Sequence, residues 1–218
     1  MNSEAVEGFL ALPVWVQWFL GFFALTFIVM LRQAHWVNAR VSKRFNALAA
    51  ASDATVIPGT DKFSASFELE RDGRRFTLRR ELRDSTSSRT WRGPRGQLLY
   101  AETPLAHGSW AQHGVDIAEE GSLAPLGSMP FKTGDASFDK RFTAWQSGVP
   151  VRSGWLDAST RAAVTAFFDT TPLSGSLWVR EGLLQYVTVA PKGMDASALD
   201  QVLHAQAAVA QAFESTAG

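Results

Sequence analysis

The chain has no cysteine at all. That excludes disulfides, thiolate zinc sites, iron–sulfur clusters and cysteine nucleophiles, and it leaves the compartment unreadable from redox chemistry. Charge is absent from one long stretch, since nothing between Glu7 and Arg32 is ionisable. No Gly-x-Ser-x-Gly elbow and no His-Glu-x-x-His helix occurs, so the common hydrolase and zinc-helix signatures are missing. The nearest approach to a phosphate loop runs from Gly127 to Lys132-Thr133, but Phe131 stands where the glycine before the lysine is needed. What remains is 218 residues, 46% hydrophobic and 19% charged, too apolar for a disordered chain and enough for one folded unit with an appendage.

The net charge of zero conceals strong segregation. Residues 32–50 carry Arg32, Arg40, Lys43 and Arg44 and no acid, and residues 71–95 carry nine arginines against Asp72, Glu81 and Asp84. Residues 96–139 reverse the balance, with Lys132 against six acids. Such patterning orients a molecule near an anionic surface even when its total is neutral.

Phe9 to Leu31 is an uncharged run of 23 residues, and at about 1.5 Å per residue a helix of that length crosses a hydrocarbon core of about 30 Å. The run predicts a transmembrane helix, with Trp15, Trp18 and Trp36 toward its ends and Pro13 near its start. A cleaved signal peptide would need a basic front and a shorter apolar core, whereas Glu4 and Glu7 precede this one. Basic residues follow the run and none precedes it, so the expected location is the cell inner membrane, single-pass, with residues 1–8 as an external tail and the C-terminal part cytoplasmic. Val37, Val41, Phe45 and Leu48 keep helical spacing, which predicts a juxtamembrane stalk helix over 32–51. Pro58-Gly59 reads as a turn beyond it.

Residues 52–218 read as one α+β domain with a mainly antiparallel sheet and at least two packed helices. The clearest local signal is residues 63–82, where Asp72-Gly73 suits a two-residue hairpin turn. Pairing Arg71 with Arg74 then sets Leu69 opposite Phe76, Phe67 opposite Leu78 and Phe63 opposite Leu82, with Glu70 opposite Arg75 on the other face. Residues 97–131 suggest short strands. A strand over 138–146, a helix over 159–169, strands over 173–180 and 183–190 joined by Glu181-Gly182, and a helix over 196–213 capped by Asp195 or Ser197 complete the expectation.

Candidate functional residues are few. Arg74, Arg75, Arg79 and Arg83 form a cationic hairpin face suited to anionic lipid headgroups, while the absence of a nucleic-acid-binding module and the lack of overall basicity speak against nucleic acid. His107, His113 and Asp116 are the only polar cluster with a conceivable metal-ligand set, at a spacing that matches no zinc pattern, so neither metal nor cofactor is expected. Asp135 and Asp139 could act as paired carboxylates, or serve as local caps and partners of the arginines.

The segment Gly134-Asp-Ala-Ser-Phe138-Asp139-Lys-Arg-Phe142 resembles the G-D-x-x-F-D-x-x-F pattern of bacterial single-span membrane proteins of uncharacterised function, a likeness extending over about the last 85 residues. The resemblance implies a bacterial inner-membrane location and says nothing of activity. Two functions stay open at this level. One is a membrane-anchored interaction or scaffold module with the bilayer and a protein partner. The other is a membrane-tethered enzyme, which would require convergent polar groups in a concave site.

Overall fold

The computed structural model describes residues 13–61, 64–83, 96–106, 110, 112–119, 128–149, 156–172, 174–189 and 195–216. The chain divides into two units, residues 1–44 and 45–218.

The first unit is dominated by helix α1, Val14–Ala51, whose last turns belong to the second unit. Pro13 stands just ahead of it and its carbonyl accepts from the amides of Val16 and Gln17, as a residue flanking a helix start does. Among the described residues no helix is long and apolar enough to cross a membrane. The transmembrane helix expected over 9–31 is therefore not supported by the described residues, of which only Val14 to Leu31 of that run lie in α1. The tail 1–8 and the first residues of the expected span, 9–12, lie outside the described residues.

The second unit is built on a nine-stranded sheet in the order β1-β2-β3-β4-β9-β8-β5-β7-β6. Its strands are β1 (Ile57–Pro58), β2 (Ala65–Arg71), β3 (Arg74–Arg83), β4 (Gly96–Pro104), β5 (His113–Glu119), β6 (Met129–Phe131), β7 (Phe142–Gly148), β8 (Gly175–Arg180) and β9 (Leu183–Val189). Every neighbouring pair is antiparallel. The other helices among the described residues are α2 (Ala136–Arg141), α3 (Ala158–Thr170) and α4 (Ala196–Thr216). The α+β architecture with a large antiparallel sheet is as expected.

The β2–β3 hairpin adopts the register its alternation requires, from Ala65↔Arg80 through Phe67↔Leu78 and Leu69↔Phe76 to Arg71↔Arg74. Asp72 at φ 52 and Gly73 at φ 70 form the turn, both left-handed as a two-residue hairpin with the strand twist demands. Phe63, the last residue of that expectation, lies outside the described residues. Glu181 and Gly182, at φ 53 and 76, repeat the device between β8 and β9.

Pro58 closes a two-residue edge strand, and from Gly59 to Ser64 the chain turns back to pair with β2, as the Pro58-Gly59 signal predicts. The opposite edge, β6, also carries a proline, Pro130, so both ends of the sheet are short and unfit for edge-to-edge pairing. The stretch 138–146 is helix α2 followed by β7, not one strand. Asp135 accepts hydrogen bonds from the Ser137 and Phe138 amides and caps a helix start that the apolar alternation alone does not announce.

One sheet face packs on α3 and α4. Phe67, Phe76, Leu78, Leu99, Ile117, Leu177, Leu184 and Tyr186 point to it and are buried with Val164, Phe167, Val202, Val209 and Phe213 from the helices. Trp110 meets Phe213 edge-on at 5.0 Å, and Phe167 meets Tyr186 at 5.1 Å. Gln206 is one of the buried polar residues, and its amide nitrogen donates to the carbonyls of Ala101 in β4 and Leu184 in β9, at 2.8 and 3.0 Å. The last two turns of α1 join this core through Phe45, Leu48 and Ala49, and the Phe45 and Phe67 rings lie 4.9 Å apart.

The core therefore requires residues that the sequence assigns to the stalk. A fragment of residues 45–218 should unfold cooperatively in urea, whereas 52–218 should be weaker by at least the cost of removing a buried phenylalanine, about 3–5 kcal/mol. Equal urea midpoints for the two fragments would show that Phe45 and Leu48 contribute nothing.

Candidate functional site

The arginines of the hairpin have mostly been recruited by the fold. Arg74 forks onto Glu214 of α4, with its second nitrogen also 3.0 Å from that carboxylate. Arg79 is paired with Glu81 and, at 2.8 Å, with Glu102, and its guanidinium lies 4.4 Å from the centre of the Tyr100 ring. Arg71 reaches Asp200 at 2.7 Å, a pair open to water. Arg80 is buried near the Phe45 ring, and that burial lowers its pKa. Of the four arginines expected to face anionic headgroups, Arg75 is exposed, Arg74 and Arg79 are held by carboxylates, and the Arg83 side chain lies outside the described residues.

His113 and Asp116 are three apart on β5 and so emerge on opposite faces of the sheet. His113 places Nδ1 2.9 Å from the Val149 carbonyl and sets its ring against Trp110. Asp116 is only 3% exposed and is gripped by Arg180 of β8, whose Nη2 lies 2.8 and 3.0 Å from the two carboxylate oxygens. Burial pushes the Asp116 pKa up, and the Arg180 contact opposes that rise. His107 lies outside the described residues. The structure thus does not bring His113 and Asp116 together. Among the described residues no group of three or more histidine, aspartate or glutamate side chains is placed to hold a metal ion.

The arrangement that sequence reading missed is a row across the sheet face turned away from α3 and α4. The registers set Thr77, Glu102, Gln185, Trp178, Asp116, Trp145 and Pro130 side by side on successive strands β3, β4, β9, β8, β5, β7 and β6. Gln185 donates to Glu102 at 3.2 Å, and Arg180 stacks 4.4 Å from the Trp178 ring centre. Tyr100, Leu98, Trp178 and Val187 form a small apolar cluster beside it. Both acids of the row are held by an arginine, Glu102 by Arg79 and Asp116 by Arg180, so neither is poised as a free base. The centre of this row is covered, since Trp178, Trp145, Tyr100 and Asp116 are all buried.

The G-D-x-x-F-D-x-x-F segment is a corner. The Asp135 carboxylate takes the Ser137 hydroxyl, at 2.6 Å, and the amides of Ser137 and Phe138, and it meets Arg161 of α3 at 3.3 Å. Asp139 takes the Thr133 amide and hydroxyl, both at 3.0 Å, and the Gly134 amide, where Gly134 sits at φ 85. Phe138 and Phe142 are buried with ring centres 4.8 Å apart. Each residue that defines the pattern has a structural task, and the two carboxylates cap separate turns.

A cleft of about 730 Å³ opens between the hairpin tip and α4, lined by Asp72, Arg74, Arg75, Thr103, His204 and Glu214 among others. His204 Nδ1 is 2.8 Å from Asp72, with the imidazole largely in solvent. No protein-family model, curated protein or solved structure matches the chain.

Two outcomes test this account. Arg79→Glu would put a third carboxylate between Glu81 and Glu102, so urea unfolding should show a loss of about 1–3 kcal/mol, more than a surface substitution costs. The Asp135 carboxylate is held down at about 2, chiefly by the Ser137 hydroxyl and then by the Phe138 amide. A depressed carboxylate stabilises the fold above its unfolded value and loses that effect as pH falls through the folded value. The stability gap between wild type and Asp135→Ala should therefore be full at neutral pH and close as pH drops from about 4 to about 2, in unfolding curves taken across that range. A gap that stays constant with pH would assign the loss to something other than the cap.

Proposed function

We propose that the chain is a membrane-anchored interaction or scaffold module, with α1 and the residues before it as a single-pass anchor in the inner membrane and the sheet domain on the cytoplasmic side. The carrying observation is the surface of α1. Trp15 and Trp18 are 74% and 76% exposed, and Phe19, Phe22, Phe23, Leu25, Phe27, Ile28 and Met30 are exposed around the whole circumference of the helix. A helix apolar on every side belongs inside a larger core or in lipid. Residues 9–12, Phe-Leu-Ala-Leu, bring the uncharged run to 23 residues, the number a span of the hydrocarbon core calls for. Arg32, Arg40, Lys43 and Arg44 follow it, and that bias favours a cytoplasmic C-terminal side.

The interaction reading is favoured over an enzyme by the site itself. The acids of the sheet row are clamped by arginines, and the wide cleft beside α4 holds an exposed His204–Asp72 pair, so neither place gathers the free, desolvated polar groups that catalysis uses. Anionic headgroups remain partners for the basic stretch 32–44 and for Arg75, with a smaller contribution from the hairpin than its composition suggests.

Membranes from cells expressing the full chain should keep it in the pellet after alkaline carbonate extraction. A C-terminal reporter active only outside the cytoplasm should stay silent. Release into the supernatant would remove the anchor, and a strong reporter signal would reverse the orientation.

A further inference from the structure

β1 covers little of the strand beside it. It pairs only with Ala65 and Ser66, so from Phe67 to Arg71 the outer edge of β2 has no neighbouring strand among the described residues. The direction of the backbone groups along that edge can be read from one hydrogen bond. Gly59 donates to the Ser64 carbonyl on the β1 side, and because backbone groups alternate along a strand, Ser66, Glu68 and Glu70 turn their N–H and C=O the same way. Phe67 and Leu69 turn theirs inward to β3, opposite Leu78 and Phe76. Pro58 fits the pattern, since it stands opposite Ala65 in a pair that exchanges no backbone hydrogen bonds. The bare edge therefore presents the amides and carbonyls of Glu68 and Glu70, and both residues are exposed where Ser66, beside β1, is half-buried.

Such an edge accepts one more strand, with main-chain hydrogen bonds supplying affinity and alternate side chains supplying selectivity. Glu68 and Glu70 project on the sheet face away from α3 and α4, while Leu69 between them packs against the core on the other face. A strand laid antiparallel to β2 sets one residue opposite each glutamate and one opposite Leu69. On the inner side Glu70 faces Arg75, but Glu68 faces Thr77, so no cation stands opposite it. A second copy of this chain is a poor occupant, because pairing β2 with β2 sets glutamate against glutamate.

We propose that the edge of β2 from Phe67 to Arg71 binds an extended segment of a partner protein in which two basic residues flank an apolar one, added as a further antiparallel strand. The basic side chains lie beside Glu68 and Glu70, and the apolar one lies beside Leu69. The inference rests on the interaction reading above and is independent of the anchor.

The probe is the peptide acetyl-Thr-Lys-Val-Lys-Thr-amide, added to the full chain in detergent micelles and followed by fluorescence anisotropy and amide hydrogen exchange. With peptide bound, the Glu68 and Glu70 amides should exchange more slowly. Methylating the backbone nitrogens of the two lysines keeps the charge and removes two donors, which should weaken binding about 10-fold or more. Glu68→Lys with Glu70→Lys, both at exposed positions, should weaken the lysine peptide by about 3- to 10-fold and prefer acetyl-Thr-Glu-Val-Glu-Thr-amide. Equal binding of the methylated and unmethylated peptides, or unchanged exchange at Glu68 and Glu70, overturns the added strand. Absence of binding overturns it too, leaving the glutamates to keep the edge clear. Photo-reactive side chains placed in cells at Glu68 and, for contrast, at the exposed positions Lys140 and Ala208 separate the two failures. Adducts at Lys140 or Ala208 and none at Glu68 defeat the edge alone, and none at any position defeats the interaction reading beneath it.

Discussion

The β8–β9 hairpin is the constraint on which the rest of the domain depends. β9 pairs with β4 and β8 pairs with β5, so this one hairpin sews the meander β1–β4 to the group β5, β7 and β6. Its turn sits at Glu181-Gly182, both at positive φ, and that turn fixes the register of both joins at once. A slip of one residue would invert Leu177, Val179, Leu184 and Tyr186 from the helix-packed face to the other and would carry Trp178 and Arg180 the opposite way. The Gln206 amide, bonded to carbonyls on both β4 and β9, spans the same join from the helix side. Removing either partner of such a buried contact leaves a desolvated polar group, so helix position and strand register reinforce each other.

Part of the segregated charge of the sequence is paired within the fold. Arg79 meets Glu102 of the acidic stretch on the next strand, while Arg74 and Arg71 meet Glu214 and Asp200 of α4, far along the chain. The half-buried pairs fix orientation, because an unpaired member would be left in a poorly solvated place, while Arg71–Asp200 is exposed and contributes little. Of the cationic face that composition suggests, Arg74 and Arg79 are held within the fold and Arg75 is exposed.

What the sequence makes legible is local. The β2–β3 hairpin and its register follow from period-two alternation meeting at Asp72-Gly73, and α4 follows from its apolar spacing and the Asp195 side chain that accepts from Ala198. The corner at Gly134–Phe142 misleads because Phe138 and Phe142, four apart, share a face in a helix as well as in a strand, and only the Asp135 cap decides. The row from Thr77 to Pro130 was illegible for a different reason. Each strand supplies one member, and their adjacency depends on a strand order, β4 beside β9 and β8 beside β5, that no local pattern contains.

The burial pattern of α1 changes character along its length, and that change bears on the anchor. From Val14 to Met30 large apolar side chains are exposed on all sides, whereas from Phe45 the burial becomes one-sided, with Phe45, Leu48 and Ala49 inside and Asn46, Ala47 and Ala50 outside. One-sided burial is what a helix against a protein core in water shows, and all-round apolarity is what a helix in hydrocarbon shows. Between the two regimes lie Arg32, Arg40, Lys43 and Arg44, with the Arg40 guanidinium stacked 3.5 Å from the Trp36 ring centre, the cation and aromatic types that favour a membrane interface. In the proposed anchor these three stretches of α1 would meet lipid, headgroups and water in turn.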